Sequence, residues 1–349
     1  MTVADGVAIV MFTAVILYSV FGGADFGSGV WDLTAGDARR GAATRRLIDH
    51  AIGPVWEANH VWLVFILVFL WTGFPGPFAA LMRTLAIPFW LAGVGIVARG
   101  AGFAFRKYAP TLRWARAAGI AFASASLVTP FFLGAIAGAV ASGRVPASAD
   151  PATFDPGVGL WRPWLGPTSI LGGVLAVSTC TFMAGVLLAA DAHKLGLSTL
   201  ADELRRKSLA GAAITGVVVV AGIPVLVSDN RVLVDGLLGR GLPLVLVSAG
   251  AGLWTIRLLW RGRYRAARIT AAVAVASVVA GWGAAQYPWL LLNEVTIEDG
   301  AGADAALIGL LVATGIAAVL VVPPLAYLFS LADSDRVGSE RPRSAPTSP

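Results

Sequence analysis

Long apolar windows separated by short polar stretches constrain this chain more than any motif does. A window of about 20 residues with few charges is long enough to cross the hydrocarbon of a bilayer as a helix. Nine such windows can be read, at roughly 5–31, 55–74, 78–105, 116–141, 165–191, 208–228, 241–260, 268–287 and 305–331. Only 13% of the 349 residues are charged, about half the share usual in a soluble domain. The expected fold class is therefore all-α and integral to a membrane. Spans one to four and five to eight read as two four-helix bundles, with span nine a peripheral helix. Residues 1–332 form the membrane domain, and the polar stretch 333–349, rich in Pro and Ser, reads as a disordered cytoplasmic tail.

Basic residues orient the spans. The segments after spans one, three, five, seven and nine hold 21 of the 26 Lys and Arg, among them Arg39, Arg40, Arg45, Arg46, Arg99, Arg106, Arg205, Arg206 and Arg268. The opposite segments hold Arg83, Arg144, Arg162, Arg231 and Arg240, together with acidic residues such as Asp229 and Glu294. The bias places the N-terminus outside and the C-terminus in the cytoplasm. The first window has no basic run before it and no small-residue cleavage site, so it reads as a mature span. Trp161 and Trp164, in the long outer loop, read as interfacial anchors.

Several classes of chemistry are excluded. Cys180 is the one cysteine, which rules out an intrachain disulfide and a multi-cysteine metal site. No phosphate loop, dinucleotide fingerprint or nucleophile elbow occurs. Attention falls instead on Ile52–Pro75, IGPVWEANHVWLVFILVFLWTGFP, where Glu57, Asn59 and His60 share one helical turn at the mouth of an otherwise apolar span. Ionisable groups at membrane depth are costly and default to a functional reading.

With the orientation above, Asp25 lies about a turn and a half before the inner end of span one, and Glu57 about one turn after the start of span two. The two carboxylates then sit at similar depth, and Arg99 approaches that depth near the inner end of span three. The expected arrangement is a small polar pocket in which Arg99 offsets Asp25 or Glu57 and one carboxylate exchanges protons. A bland reading stands beside it. Glu57 in a first turn also suits the helix dipole, and Gly22, Gly23, Gly27 and Gly29 around Asp25 also suit close helix packing. Asp32 reads as interfacial and structural.

His60 can be a metal or haem ligand, or a hydrogen-bonding partner of Glu57. Only three histidines exist, and His50 and His193 fall in cytoplasmic segments, so the partner reading is favoured. Asn59 belongs either to the pocket or to an interhelical hydrogen bond, since its amide must be satisfied. Trp56, Trp62 and Trp71 read first as packing or lipid-facing residues.

Three segments carry a resemblance. GGADFGSGVWDL (Gly22–Leu33), the Ile52–Pro75 stretch, and Arg99, Gly102, Phe103 and Arg106 in the pattern R-x-x-G-F-x-x-R resemble subunit II of the cytochrome bd-type quinol oxidases. These motifs lie in about the first 110 residues; beyond them the likeness is one of topology. The commonest family pattern has Asp-Gly-Asn-Gln or Asp-Gly-Asn-Glu where this chain has Glu57-Ala58-Asn59-His60, which marks a divergent branch.

The resemblance implies a haem-free subunit paired with a subunit I that holds b-type and d-type haems and the quinol site. It implies a bacterial cytoplasmic-membrane complex that reduces oxygen to water with electrons from quinol and generates a membrane potential. A small accessory subunit is a further candidate partner. Glu57 and Asp25 fall on the family's proton path, with Asn59, His60, Arg99, Trp56 and Trp62 in support. The other readings are a proton-coupled secondary transporter and a purely structural membrane subunit. Against the transporter, no pair of broken helices recurs in both halves, as transporter repeats lead one to expect.

Overall fold

The computed structural model describes residues 1–37, 39–108, 111–147 and 159–338; within these, side chains are not described for 52–58, 107, 112, 321–322, 325–326 and 328–338. The elements are α1 (Val3–Leu33), α2 (Ala42–Gly73), α3 (Pro75–Thr84), α4 (Ala86–Lys107), α5 (Leu112–Ala141), α6 (Pro167–Lys194), α7 (Ser198–Asp229), α8 (Arg231–Leu238), α9 (Leu242–Trp260) and α10 (Tyr264–Gln286). The strands β1 (Trp289–Leu291) and β2 (Val295–Thr296) pair antiparallel before α11 (Asp304–Gly338).

Among the described residues, seven helices are long and apolar enough to cross a membrane: α1, α4, α5, α6, α7, α9 and α10. Part of α2, Asn59–Gly73, makes an eighth candidate with α3, the two helices meeting at a 119° bend. The bend has a local cause. Phe74 leaves helical geometry, and Pro75 begins α3, where its missing N–H is not required. The window read as 78–105 is accordingly two helices that part at Leu85. A hydropathy window averages over that break because only Arg83 and Thr84 interrupt the apolar residues around it.

Two helices extend beyond their apolar windows for the opposite reason. The N-terminal three turns of α2 and α7 contain Arg45, Arg46, Arg205, Arg206 and Lys207, which are good helix formers outside hydrocarbon. At the start of α1, the Thr2 hydroxyl accepts from Asp5 N–H and the Asp5 carboxylate accepts from Thr2 N–H, a complete capping box.

α1 is the hub. It packs on α2, α5, α6, α10 and α11, while α4 packs on α5, α6 on α5 and α7, and α9 on α10. The α1 positions that are buried, Ala4, Val7, Met11, Ala14, Tyr18, Gly22 and Asp25, recur at helical spacing. Small residues bring backbones together. A Cβ at Gly27 would overlap the Cys180 backbone on α6, and one at Gly134 the Gly172 carbonyl, so α1, α5 and α6 meet with no side chain between them. Trp31 Nε1 donates to the Thr181 carbonyl across the same junction at 2.9 Å.

Contacts at the helix ends set their relative directions. Phe12 near the start of α1 meets Gly283 near the end of α10, while Asp191 near the end of α6 pairs with Arg268 near the start of α10. The final turns of α1 and α6 and the first turn of α10 therefore lie at one end of the molecule. Trp161 is exposed, whereas Trp164 is buried against Phe132, so only the first of the two expected anchors faces outward.

Candidate functional site

Asp25 and Arg99 form the centre of the site. Arg99 Nη2 is 2.8 Å from Asp25 Oδ1, and both side chains are at most 1% exposed. The same Nη2 donates to the Asp25 backbone carbonyl at 2.7 Å, and Arg99 Nε donates to Ser126 Oγ at 3.0 Å. Ser126 Oγ donates in turn to the Phe122 carbonyl at 2.6 Å, and Ser28 Oγ donates to the Asp25 carbonyl at 2.5 Å. The guanidinium lies between two rings, 5.2 Å from the Phe26 centroid and 4.7 Å from that of Phe122. Cation–π contacts of this kind are strongest where water is excluded.

The sequence folds this way because α4 presents one face. Arg99, Gly102, Phe103 and Arg106 recur at three- and four-residue steps. Gly102 has no room for a Cβ against Ala118 and Phe122. That close approach of α4 to α5 brings Arg99 to Ser126 and sets Phe103 at 6.1 Å from Phe122. One turn further on, Arg106 pairs with Asp32 and Asp49, and Asp32 also accepts from Arg45 Nε at 2.7 Å. A four-member charge network thus closes the end of the site, with Asp32 bridging helices as a structural residue does.

Asn59 is fully buried, and its amide lies against Gly22 of α1. Arg99 and Asn59 both stand close enough to the Asp25 carboxylate to act on it, although neither carboxylate oxygen and neither Asn59 amide atom meets strict hydrogen-bond geometry among the described residues. His60, half-buried, lies within electrostatic reach of Asp25. Trp62 is half-buried with its ring edge on Phe65. The side chains of Trp56 and Glu57 lie outside the described residues; the backbone of both belongs to α2.

Residues that sequence reasoning passed over complete the site: Phe26, Ser28, Phe122 and Ser126. Ser28 could have been found from its place one turn beyond Asp25. The two phenylalanines carry no sequence mark that separates them from lipid-facing ones.

The chain matches the family model described as cytochrome bd terminal oxidase subunit II over residues 4–332. It belongs to that family. A Bacillus subtilis (strain 168) relative, cytochrome bd ubiquinol oxidase subunit 2, is 30% identical over 199 residues, which are 57% of this chain and 54% of the relative. The Escherichia coli (strain K12) cytochrome bd-I ubiquinol oxidase subunit 2 is 26% identical over 197 residues, 56% of this chain and 49% of that one. The chain thus spans about half the length of the curated relatives it matches. The fold is similar to a chain in the structure of bd oxidase from Geobacillus thermodenitrificans, with a TM-score of 0.72, 24% identity, and coverage of 95% of this chain and 98% of that one.

The family implies haem in the complex, and the two cavities described in this chain do not fit that group. The larger, about 520 Å³, is an open groove between α6 and α7 lined by Leu, Ile, Val, Pro, Ala and Gly, with no axial donor. The smaller, about 40 Å³, adjoins Asp25 and is far too small for a macrocycle. No step is assigned to a haem in this chain.

Proposed function

We propose that this chain is the haem-free subunit of a bacterial bd-type quinol oxidase, built around a partner subunit that carries the haems and the quinol site. In this reading the chain crosses the cytoplasmic membrane nine times, with its N-terminus outside. That count takes the seven long helices, the bent α2–α3 pair as one pass, and the shorter apolar helix at the start of α11, Asp304–Leu320, as the ninth. The end that holds Arg45, Arg106, Arg205 and Arg268 is the cytoplasmic one by its charge. The family match over residues 4–332 carries the reading.

Its chemical part is proton delivery. Asp25, inside the membrane yet near the basic end, is the residue this chain supplies, with Glu57 on the neighbouring helix as its partner on the path. Arg99 holds the Asp25 carboxylate in place and offsets its charge. Asn59 and His60 line the route, with Trp56 and Trp62 packing beside it. Protons arriving from the cytoplasm meet, in the partner, the electrons drawn from quinol, and oxygen is reduced to water. Separation of the two sources of charge generates the membrane potential.

The test is the assembled complex. Co-purification of this chain with a haem protein that consumes oxygen when given quinol supports the assignment. A colourless, stable protein without a haem-bearing partner sinks it and favours a transporter.

A further inference from the structure

The cavity of about 40 Å³ beside Asp25 is bounded at its other end by the Asp191–Arg268 pair. Ala24, Asp25 and Ser28 of α1, Ala51 of α2, Asp191 of α6 and Arg268 of α10 all contribute to its wall. Its volume is several times the ~10–15 Å³ that one water requires. Exposure rises steeply along it. The Asp25 side chain is 0% exposed, that of Asp191 22% and that of Arg268 47%.

Depth follows from position on the helices. Asp25 is eight residues before the end of α1, and Asp191 three residues before the end of α6. Asp191 lies eleven residues beyond Cys180, whose backbone meets Gly27, and so stands nearer the basic end of the molecule than Asp25. Ser28, 1% exposed, stands between the two levels on α1, where its hydroxyl donates to the Asp25 backbone carbonyl. Arg268 Nη1 donates to Asp191 Oδ1 at 3.0 Å, which holds the acid at the cavity mouth.

We propose that Asp191 is the proton-uptake residue of this chain, and that the cavity behind it is an internal route by which protons reach Asp25. A proton taken from bulk water onto the Asp191 carboxylate passes through water in the cavity, past the Ser28 hydroxyl, to the Asp25 carboxylate. Asp191 is left ionised and ready to take up the next proton. Arg268 positions Asp191 at the cavity mouth. The ion pair also ties α6 to α10, and that tie alone requires neither the cavity nor Asp25 at its far end. This proposal rests on the oxidase reading above.

The experiment uses the purified complex with its haem-bearing partner. Oxygen uptake driven by quinol is measured alongside reduction of the haems by quinol without oxygen. Asp191→Asn is expected to lower turnover by about tenfold or more, the low end for loss of a proton-transfer group, with haem reduction unchanged. Asp191→Glu restores most of the turnover, which a helix tie sensitive to side-chain length would not do. Ala51→Leu fills the cavity, leaves the ion pair in place, and lowers turnover comparably; it carries the test if Asp191→Asn does not assemble.

Wild-type turnover in both Asp191→Asn and Ala51→Leu overturns the proposal while leaving the oxidase reading intact. Failure of Asp191→Glu to recover more than Asp191→Asn also overturns it, in favour of a structural tie. A wild-type complex that consumes no oxygen with quinol overturns the oxidase reading, and this route with it.

Discussion

Asp25 on α1 and Arg99 on α4 are 74 positions apart in the chain, yet their charged atoms approach to 2.8 Å with both side chains buried. Neither charge is tolerable there alone. Removing one partner of a buried pair costs about 3–5 kcal/mol, whereas replacing both with apolar groups can be neutral. Arg99→Met should therefore destabilise the chain by about 3–5 kcal/mol, and the double variant Asp25→Leu, Arg99→Met should regain much of that loss. Unfolding by an ionic detergent in mixed micelles measures both. Additive losses would show that the two charges are independently satisfied.

Glu57→Gln in the assembled complex should reduce quinol-driven oxygen uptake by about tenfold or more while the haem spectrum is retained. Unchanged turnover and unchanged generation of potential would make Glu57 structural. His60→Ala should leave every haem band in place, as a reduced-minus-oxidised spectrum will show; loss of a band would make His60 a ligand.

Glycines on these helices fall into two groups with opposite expectations. Gly27→Ala places a methyl group on the Cys180 backbone and should cost at least about 1–3 kcal/mol, because neither helix can yield at that point. Gly216→Ala meets nothing within 4 Å, so it should be neutral or stabilise α7 by up to about 1 kcal/mol through helix propensity. Detergent unfolding of the two variants side by side distinguishes packing from composition. Equal effects would mean that the α1–α6 junction is looser than described.

The turn after α1 offers a pH test. Backbone N–H groups of Arg40 and Arg39 donate to the Asp37 carboxylate and hold it below its ordinary value of 3.8. A depressed pKa in the folded state supports the turn above the ordinary value and loses that support as pH falls through the lowered one. Hydrogen exchange at Arg39 and Arg40, corrected for intrinsic rates, should stay protected down to about the ordinary carboxylate range and lose protection only below it. Protection lost well above that range would contradict the arrangement.

Much of the architecture was legible because lipid makes apolar length informative. Asp25 and Arg99 were legible as neighbours through depth alone, since α1 and α4 approach the same end of the molecule. What escaped had no hydropathy contrast. The break at Leu85 and the bend at Phe74 sit among mostly apolar residues, although Pro75-Gly76-Pro77 marked a turn there. The polar N-terminal turns of α2 and α7 fall outside any apolar window while remaining helical. Phe26 and Phe122 differ from lipid-facing rings only in what they touch, and contact is not written in a single sequence. Asp191 finds its partner, Arg268, on a helix 77 residues away, a distance that a single sequence does not bridge.

The ring pair around Arg99 bears on what kind of machine this can be. The guanidinium packs on the Phe26 and Phe122 rings and is anchored to Ser126 and to the Asp25 carbonyl, so a swing out of this position would break all of these contacts at once. Transporters that alternate their openings depend on charged arms or whole helices that change sides. Arg99 is instead tied to α1 and α5 together, beside a junction where backbones meet directly. If the proposed route holds, what passes such a place is small enough to hop between fixed oxygens: a wire for protons and a wall to everything larger.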